Sequence, residues 1–135
     1  MNKLLMAAGV VASLMGTMAH AKTYVCNIKP DGRDTGWISK TVAINIDDVT
    51  NKVLVSDAVI LYFNKKPIEG KLSLYSSKRV TVTWEVRGAK DRRNRNVARF
   101  MYRATIYRAT NKMIISARPT GYENTFGGSG RCGVK

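Results

Sequence analysis

The sequence predicts an all-β protein, a single small antiparallel β-barrel of about eight strands, with a β-sandwich as the alternative. Three observations lead to this prediction. Short segments alternate apolar and polar residues with a period of two, polar or glycine-bearing turns separate them, and one cysteine stands near each end of the domain. Helical periodicity is not evident. The barrel is favoured because a disulfide between first and last strands suits a sheet that closes on itself and leaves no free edge.

The first 21 residues predict a cleaved signal peptide. Lys3 supplies a positive charge, residues 4–16 form an uncharged apolar run, and Ala19-His20-Ala21 has the small-x-small pattern of a cleavage site. The apolar run is shorter than the roughly 20 residues that a bilayer core requires. We therefore expect a single mature domain over residues 22–135 with no transmembrane segment, located in the bacterial periplasm or secreted.

Most strands are predicted from alternation, and the clearest are given first. The clearest segment is 79–87, which places Val80, Val82, Trp84 and Val86 on one face. Segment 97–108 repeats the pattern with Phe100, Tyr102, Ala104 and Ile106. An earlier strand has the apolar set Ile38, Val42, Ile44 and Ile46. The remaining predicted strands are residues 23–28, 52–56, 58–63, 71–75, 112–117 and 131–134.

Turn residues separate these segments at 31–32, 47–51, 64–67, 76–78, 110–112 and 127–130. The glycine-rich stretch 127–130 predicts a flexible loop before the last strand. Thr50-Asn51-Lys52 also recurs sixty residues later as Thr110-Asn111-Lys112. Either a duplicated half-barrel or two hairpins that independently use the same turn would explain this similarity, because Asn tolerates left-handed backbone.

The two cysteines, Cys26 and Cys132, predict a structural disulfide that closes a loop of about 106 residues, since an exported chain meets an oxidising compartment. Two thiolates without histidine make a poor zinc site, and their spacing is not that of a redox pair. We expect no metal and no cofactor.

No catalytic signature emerges from the sequence. Residues 127–131 (GGSGR) resemble a nucleophile elbow, but Arg131 replaces the last glycine, and the single histidine, His20, leaves with the signal peptide. The nine acidic residues do not form an evident convergent pair. We therefore expect a protein that is not an enzyme and assign it no catalytic residue.

Basic charge is the main functional signal. The chain has 23 basic and nine acidic residues; without Lys3 the mature domain has 22 basic residues and a net charge of +13. A symmetric hairpin between the two clearest strands would place Glu85 opposite Arg99 and the odd-numbered arginines on one outward face. The candidate polyanion-binding residues are Arg87, Lys90, Arg92, Arg93, Arg95, Arg99 and Arg103.

Several interpretations of this charge remain open. Arginine suits bidentate binding of phosphate and carboxylate, so an anionic lipid, lipopolysaccharide or an acidic protein is a candidate partner. Nucleic acid is disfavoured, because an exported protein seldom meets it. These charged residues could also form only a solvated surface that discourages strand edges from pairing with other chains. The alternatives in function are a barrel that carries a small ligand, which its bulky interior residues disfavour, and a structural or envelope-stress protein with no specific ligand.

Four segments resemble a group of small secreted bacterial proteins that have one N-terminal and one C-terminal cysteine and no assigned activity. They are residues 24–26 (YVC), 36–38 (GWI), 119–124 (PTGYEN) and 128–132 (GSGRC). The resemblance implies export and a disulfide, and it implies nothing about function.

Overall fold

A computed structural model describes residues 21–33, 36–90, 92–96 and 99–135. They form a closed antiparallel barrel whose eight strands are neighbours in sequence order. The strands are β1 (Ala21–Pro30), β2 (Thr41–Asp47), β3 (Lys52–Asp57), β4 (Ile68–Tyr75), β5 (Arg79–Val86), β6 (Phe100–Tyr107), β7 (Lys112–Pro119) and β8 (Phe126–Val134), and one helix, α1 (Ala58–Asn64), follows β3.

The barrel closes by pairing of β1 with β8. Their register runs from Tyr24 opposite Val134 to Pro30 opposite Gly128, and it places Cys26 directly opposite Cys132, which are joined as a disulfide. The predicted barrel and disulfide are thus confirmed, and the alternative sandwich is wrong. Within the part of the chain that the structure describes, no helix has the length and apolarity needed to cross a bilayer.

The barrel interior is filled with side chains from every second strand position, as a period of two requires. Trp84 of β5 stacks on Tyr102 of β6 with ring centroids 5.3 Å apart, and Phe100 lies 5.5 Å from Tyr102. The four inward residues predicted for β5 and the four predicted for β6 are all buried. Other buried core residues are Ile44, Ile46, Val53, Val55, Met113 and Ile115.

Because neighbouring strands are antiparallel, successive connections lie at alternate ends of the barrel. One end, here called the helix end, carries α1 and the β5–β6 hairpin. The other end, the turn end, carries the β2–β3, β4–β5 and β6–β7 turns. At the turn end Asn51 and Asn111 both have left-handed φ, 59° and 54°, so the two Thr-Asn-Lys turns share one geometry. Both explanations of the repeat predict this similarity.

Three assignments from the sequence are wrong. Residues 58–63, predicted as a strand, belong to α1, and the helix end of the barrel is covered by its buried Val59 and Ile60. The predicted loop 127–130 lies inside β8. Ile38 precedes β2 instead of belonging to it, although it is buried in the core. The predicted signal peptide lies outside the described residues except for Ala21, the first residue of β1.

Candidate functional site

The β5–β6 hairpin places its arginines on the outside of the barrel. The two strands pair from Arg79 opposite Tyr107 to Val86 opposite Phe100, with the even-numbered residues inside. The odd-numbered positions therefore face outward. The four arginines predicted to share this face are all exposed: Arg79, Arg87, Arg99 and Arg103.

The register of this hairpin differs from the predicted one by two residues. Glu85 pairs with Met101 and not with Arg99, because the turn is centred one residue further along the chain, where Asn94 adopts left-handed backbone with φ 59°. A shift of two preserves which face each side chain occupies. The expected ion pair still forms on the diagonal, with Glu85 Oε1 at 3.8 Å from Arg99 Nη1.

Glu85 bridges two arginines of this face. Its second carboxylate oxygen, Oε2, accepts a hydrogen bond from Arg87 Nη2 at 3.3 Å. The side chains of Arg87 and Arg99 nevertheless keep 73% and 51% of their area exposed. One carboxylate cannot neutralise two guanidinium groups, and exposed ion pairs are weak. Glu85 thus holds the arginines near each other while their outer nitrogens stay accessible.

The tip of the hairpin carries four exposed basic residues: Lys90, Arg92, Arg93 and Arg95. A β-bridge between Lys90 and Asn96 closes the base of the tip. Gly88 supplies a positive φ of 76°, and the adjacent Ala89 is fully buried. These features anchor the start of the tip to the barrel core, so its cations extend from a fixed base.

Two further basic residues on neighbouring strands belong to the same surface. Lys71 of β4 pairs with Thr83, which in turn pairs with Arg103, and Arg118 of β7 pairs with Met101. Both are exposed. Reasoning from sequence missed them, since the prediction for β7 ended at residue 117 and the neighbours of each strand were unknown. Together, Lys71, Arg87, Arg99, Arg103 and Arg118 are here called the basic face, and Lys90, Arg92, Arg93 and Arg95 the basic tip.

The far side of the barrel carries less of this charge. In a closed sheet of eight strands, β1 and β2 lie opposite β5 and β6. The outward positions in the middle of these strands are all uncharged: Thr23, Val25, Asn27, Thr41, Ala43 and Asn45. The charge is therefore distributed unevenly around the barrel, which gives the molecule one strongly positive side.

No family model, curated protein or solved structure matches this chain. Among residues 21–33, 36–90, 92–96 and 99–135, no three His, Cys, Asp or Glu side chains group closely enough to hold a metal ion.

Asp57 is the one buried acid in the described core, and its hydrogen bond stabilises the start of α1. Its Oδ1 accepts a hydrogen bond from the Ile60 backbone N–H at 2.8 Å and so caps the N-terminus of α1. Burial raises the pKa of Asp57 above its ordinary 3.8, against the lowering effect of that hydrogen bond. Burial also raises the pKa of Tyr102, whose hydroxyl donates to the Trp37 carbonyl at 2.8 Å, and the nearby Asp57 carboxylate adds to the rise. This carboxyl and this phenol hold α1 and the Trp37 segment in place.

A shallow apolar cleft of about 310 Å³ lies beside α1. Trp37, Val59, Tyr62 and Phe63 line it. Trp37 stacks on buried Phe100 with centroids 4.4 Å apart. The stack makes Trp37 part of the cover over the barrel interior. Tyr122 is exposed in the segment after β7.

Proposed function

We propose that this protein is a non-enzymatic, exported protein that binds polyanionic components of the bacterial cell envelope through the basic face and basic tip. One observation carries the proposal. The register of β4 to β7 collects nine basic side chains on one outward surface and hairpin tip, where Glu69 and Glu85 are the acidic residues among the described outward positions of these four strands.

The chemistry of these side chains favours phosphate-bearing partners. Seven of the nine are arginines, whose planar guanidinium donates parallel hydrogen bonds to two oxygens of one phosphate. Basic residues near an anionic membrane surface contribute about 1 kcal/mol each. An array on one side of a rigid barrel allows several of them to contact the same surface at once, with the opposite side facing away.

The Cys26–Cys132 disulfide supports the exported location. Disulfides persist in oxidising compartments such as the periplasm and the extracellular space. The N-terminal export pattern points to the same compartments. Lipid headgroups and lipopolysaccharide carry phosphates there, so both offer several anionic groups to a surface with several cations.

The test compares the binding of oxidised residues 22–135 to vesicles of anionic and of neutral phospholipid across a salt series. We expect binding to anionic vesicles only, with a steep decrease as salt rises. Changing Arg92, Arg93 and Arg95 of the tip to Ala should weaken binding about 100-fold, the sum of three contributions of about 1 kcal/mol.

A matched control removes three charges from elsewhere. Lys29, Lys40 and Arg131 are exposed residues of β1, the segment before β2, and β8. Their change to Ala lowers the net charge by the same amount and should leave most of the binding intact. Equal losses in the two triple variants would show that net charge alone drives binding. No binding by the unmodified protein at low salt would overturn the proposal.

A further inference from the structure

A groove at the turn end of the barrel brings together cations of two adjacent turns. The backbone N–H of Arg108 donates to the Lys78 carbonyl at 2.9 Å, which joins the β6–β7 turn to the β4–β5 turn. The groove between them has a volume of about 800 Å³. Its polar lining consists of Lys78, Arg79 and Arg108 with the hydroxyl side chains of Ser77, Tyr107 and Thr110.

Arg108 is the unusual member of this group. Its guanidinium lies over the Tyr75 ring, 4.5 Å from the centroid, in a cation–π contact. Two of its nitrogens, Nε and Nη2, are buried and have no hydrogen-bond acceptor among the described residues. A buried donor on a charged group is costly when it lacks an acceptor. An acceptor in the groove would relieve this cost once the Arg108 side chain turns toward it, since both nitrogens are closed to solvent.

The lining of the groove contains three cations and no carboxylate. Lys78 and Arg79 are both exposed, so their charges are available to a ligand that enters from solvent. Thr110 Oγ1 accepts a weak hydrogen bond from the Lys112 N–H at 3.3 Å, which leaves its hydroxyl hydrogen free to donate. The groove therefore offers donors and positive charge on several sides without an acid to compete.

We propose that this groove is a binding site for a single phosphate group, with Arg108 as its principal ligand and Lys78 and Arg79 as supporting cations. Phosphate is the favoured oxyanion because its several oxygens can accept from the guanidinium fork and from both neighbouring cations together. The group could be inorganic phosphate or the phosphate of a monoester.

This site is separate from the basic tip. The β6 strand runs from Phe100 at the helix end to Tyr107 at the turn end, so its whole length lies between the tip and Arg108. The inference does not rest on the proposed binding of extended polyanions, because it concerns one group held in a defined groove.

The experiment is calorimetric titration of the oxidised protein with sodium phosphate at constant ionic strength, and in parallel with glycerol phosphate. We expect saturable binding of one equivalent. Arg108→Lys keeps the charge but removes the guanidinium fork, and it should weaken binding about tenfold. Changing both Lys78 and Arg79 to Ala should weaken binding by a similar factor without altering Arg108. This double variant tests the site if Arg108 variants fold poorly.

The tip triple variant of Arg92, Arg93 and Arg95 is the control, and it should bind phosphate with unchanged affinity. Tighter binding of glycerol phosphate than of inorganic phosphate would support a phosphomonoester ligand; the reverse order would support free phosphate. Three results would each overturn the site: no saturable binding of either probe, unchanged binding by Arg108→Lys, or loss of binding in the tip variant. Loss of vesicle binding in the tip variant would test only the polyanion proposal.

Discussion

Two glycines of β8, Gly128 and Gly130, lie against β1 at a closer distance than side chains allow. A Cβ atom placed on Gly130 would overlap the Asn27 carbonyl oxygen, and one on Gly128 would come within 2.8 Å of Ile28 Cγ2. Residues 127–130 therefore consist of small residues because of close strand packing, and not because they form a turn. The same composition led to the prediction of a loop, since glycine-rich sequences are typical of loops as well.

Gly130→Ala should consequently destabilise the barrel by about 2–4 kcal/mol, because the backbone of β1 must shift to accept the new methyl group. The matched control is Gly133→Ala in the same strand, where the nearest atom to a new Cβ is the Val25 carbonyl oxygen at 4.0 Å. The control should change the free energy of unfolding, measured with urea, by less than about 1 kcal/mol. Similar effects of the two changes would contradict the close approach.

At the level of secondary structure, α1 shows how end residues decide the conformation of a short apolar segment. Residues 58–63 (AVILYF) have no alternation and are rich in residues that favour strands. Asp57 caps the first turn, and Lys65 adopts left-handed backbone with φ 65° and donates its N–H to the Leu61 carbonyl. These caps and the burial of Val59 and Ile60 stabilise a helix of only seven residues.

The raised pKa of Asp57 predicts how stability depends on pH. The folded state holds this proton more tightly than the unfolded state, whose pKa is near 3.8. The contribution of Asp57 to stability is therefore full below about pH 3.8 and is lost as pH rises through the folded pKa. Asp57→Asn keeps a capping side chain without a charge. Its stability relative to the unmodified protein should rise with pH above 3.8, as measured by urea unfolding at several pH values.

Asp57→Ala is the companion variant, because it removes the cap as well as the charge. It should be less stable than Asp57→Asn by about 1 kcal/mol at every pH. A constant stability difference between Asp57→Asn and the unmodified protein from pH 3 to pH 8 would show that the carboxyl does not titrate abnormally. Equal stability of the two variants would show that the cap has no effect.

For the molecule as a whole, two kinds of contact between β1 and β8 close the barrel: strand pairing and a disulfide. Seven residue pairs join β1 to β8, and the Cys26–Cys132 disulfide closes a loop with a sequence separation of 106. Changing both cysteines to Ala should lower the free energy of unfolding by about 4–5 kcal/mol, the chain-entropy value for a loop of this length. The far-UV circular dichroism spectrum should still be that of an all-β protein. A stability within about 1 kcal/mol of the oxidised protein would contradict this expectation.

The sequence by itself determined the all-β class, the inward faces of β5 and β6, most turn positions and the disulfide. These features depend on alternation, on local turn chemistry and on the presence of only two cysteines, and they are visible without knowledge of distant neighbours. The four arginines of the outward β5–β6 face were also predictable, because a register error of two residues leaves the faces unchanged.

Only the tertiary structure decided the remaining features. The helical state of α1 depends on its packing over the barrel end, and the strand state of residues 127–130 depends on the backbone of β1. Lys71 and Arg118 join the basic face only because β4 and β7 flank the hairpin. The Arg108 groove likewise exists because two turns that are distant in sequence meet at one end of the barrel. In each case the deciding contact comes from a part of the chain that local sequence patterns do not identify.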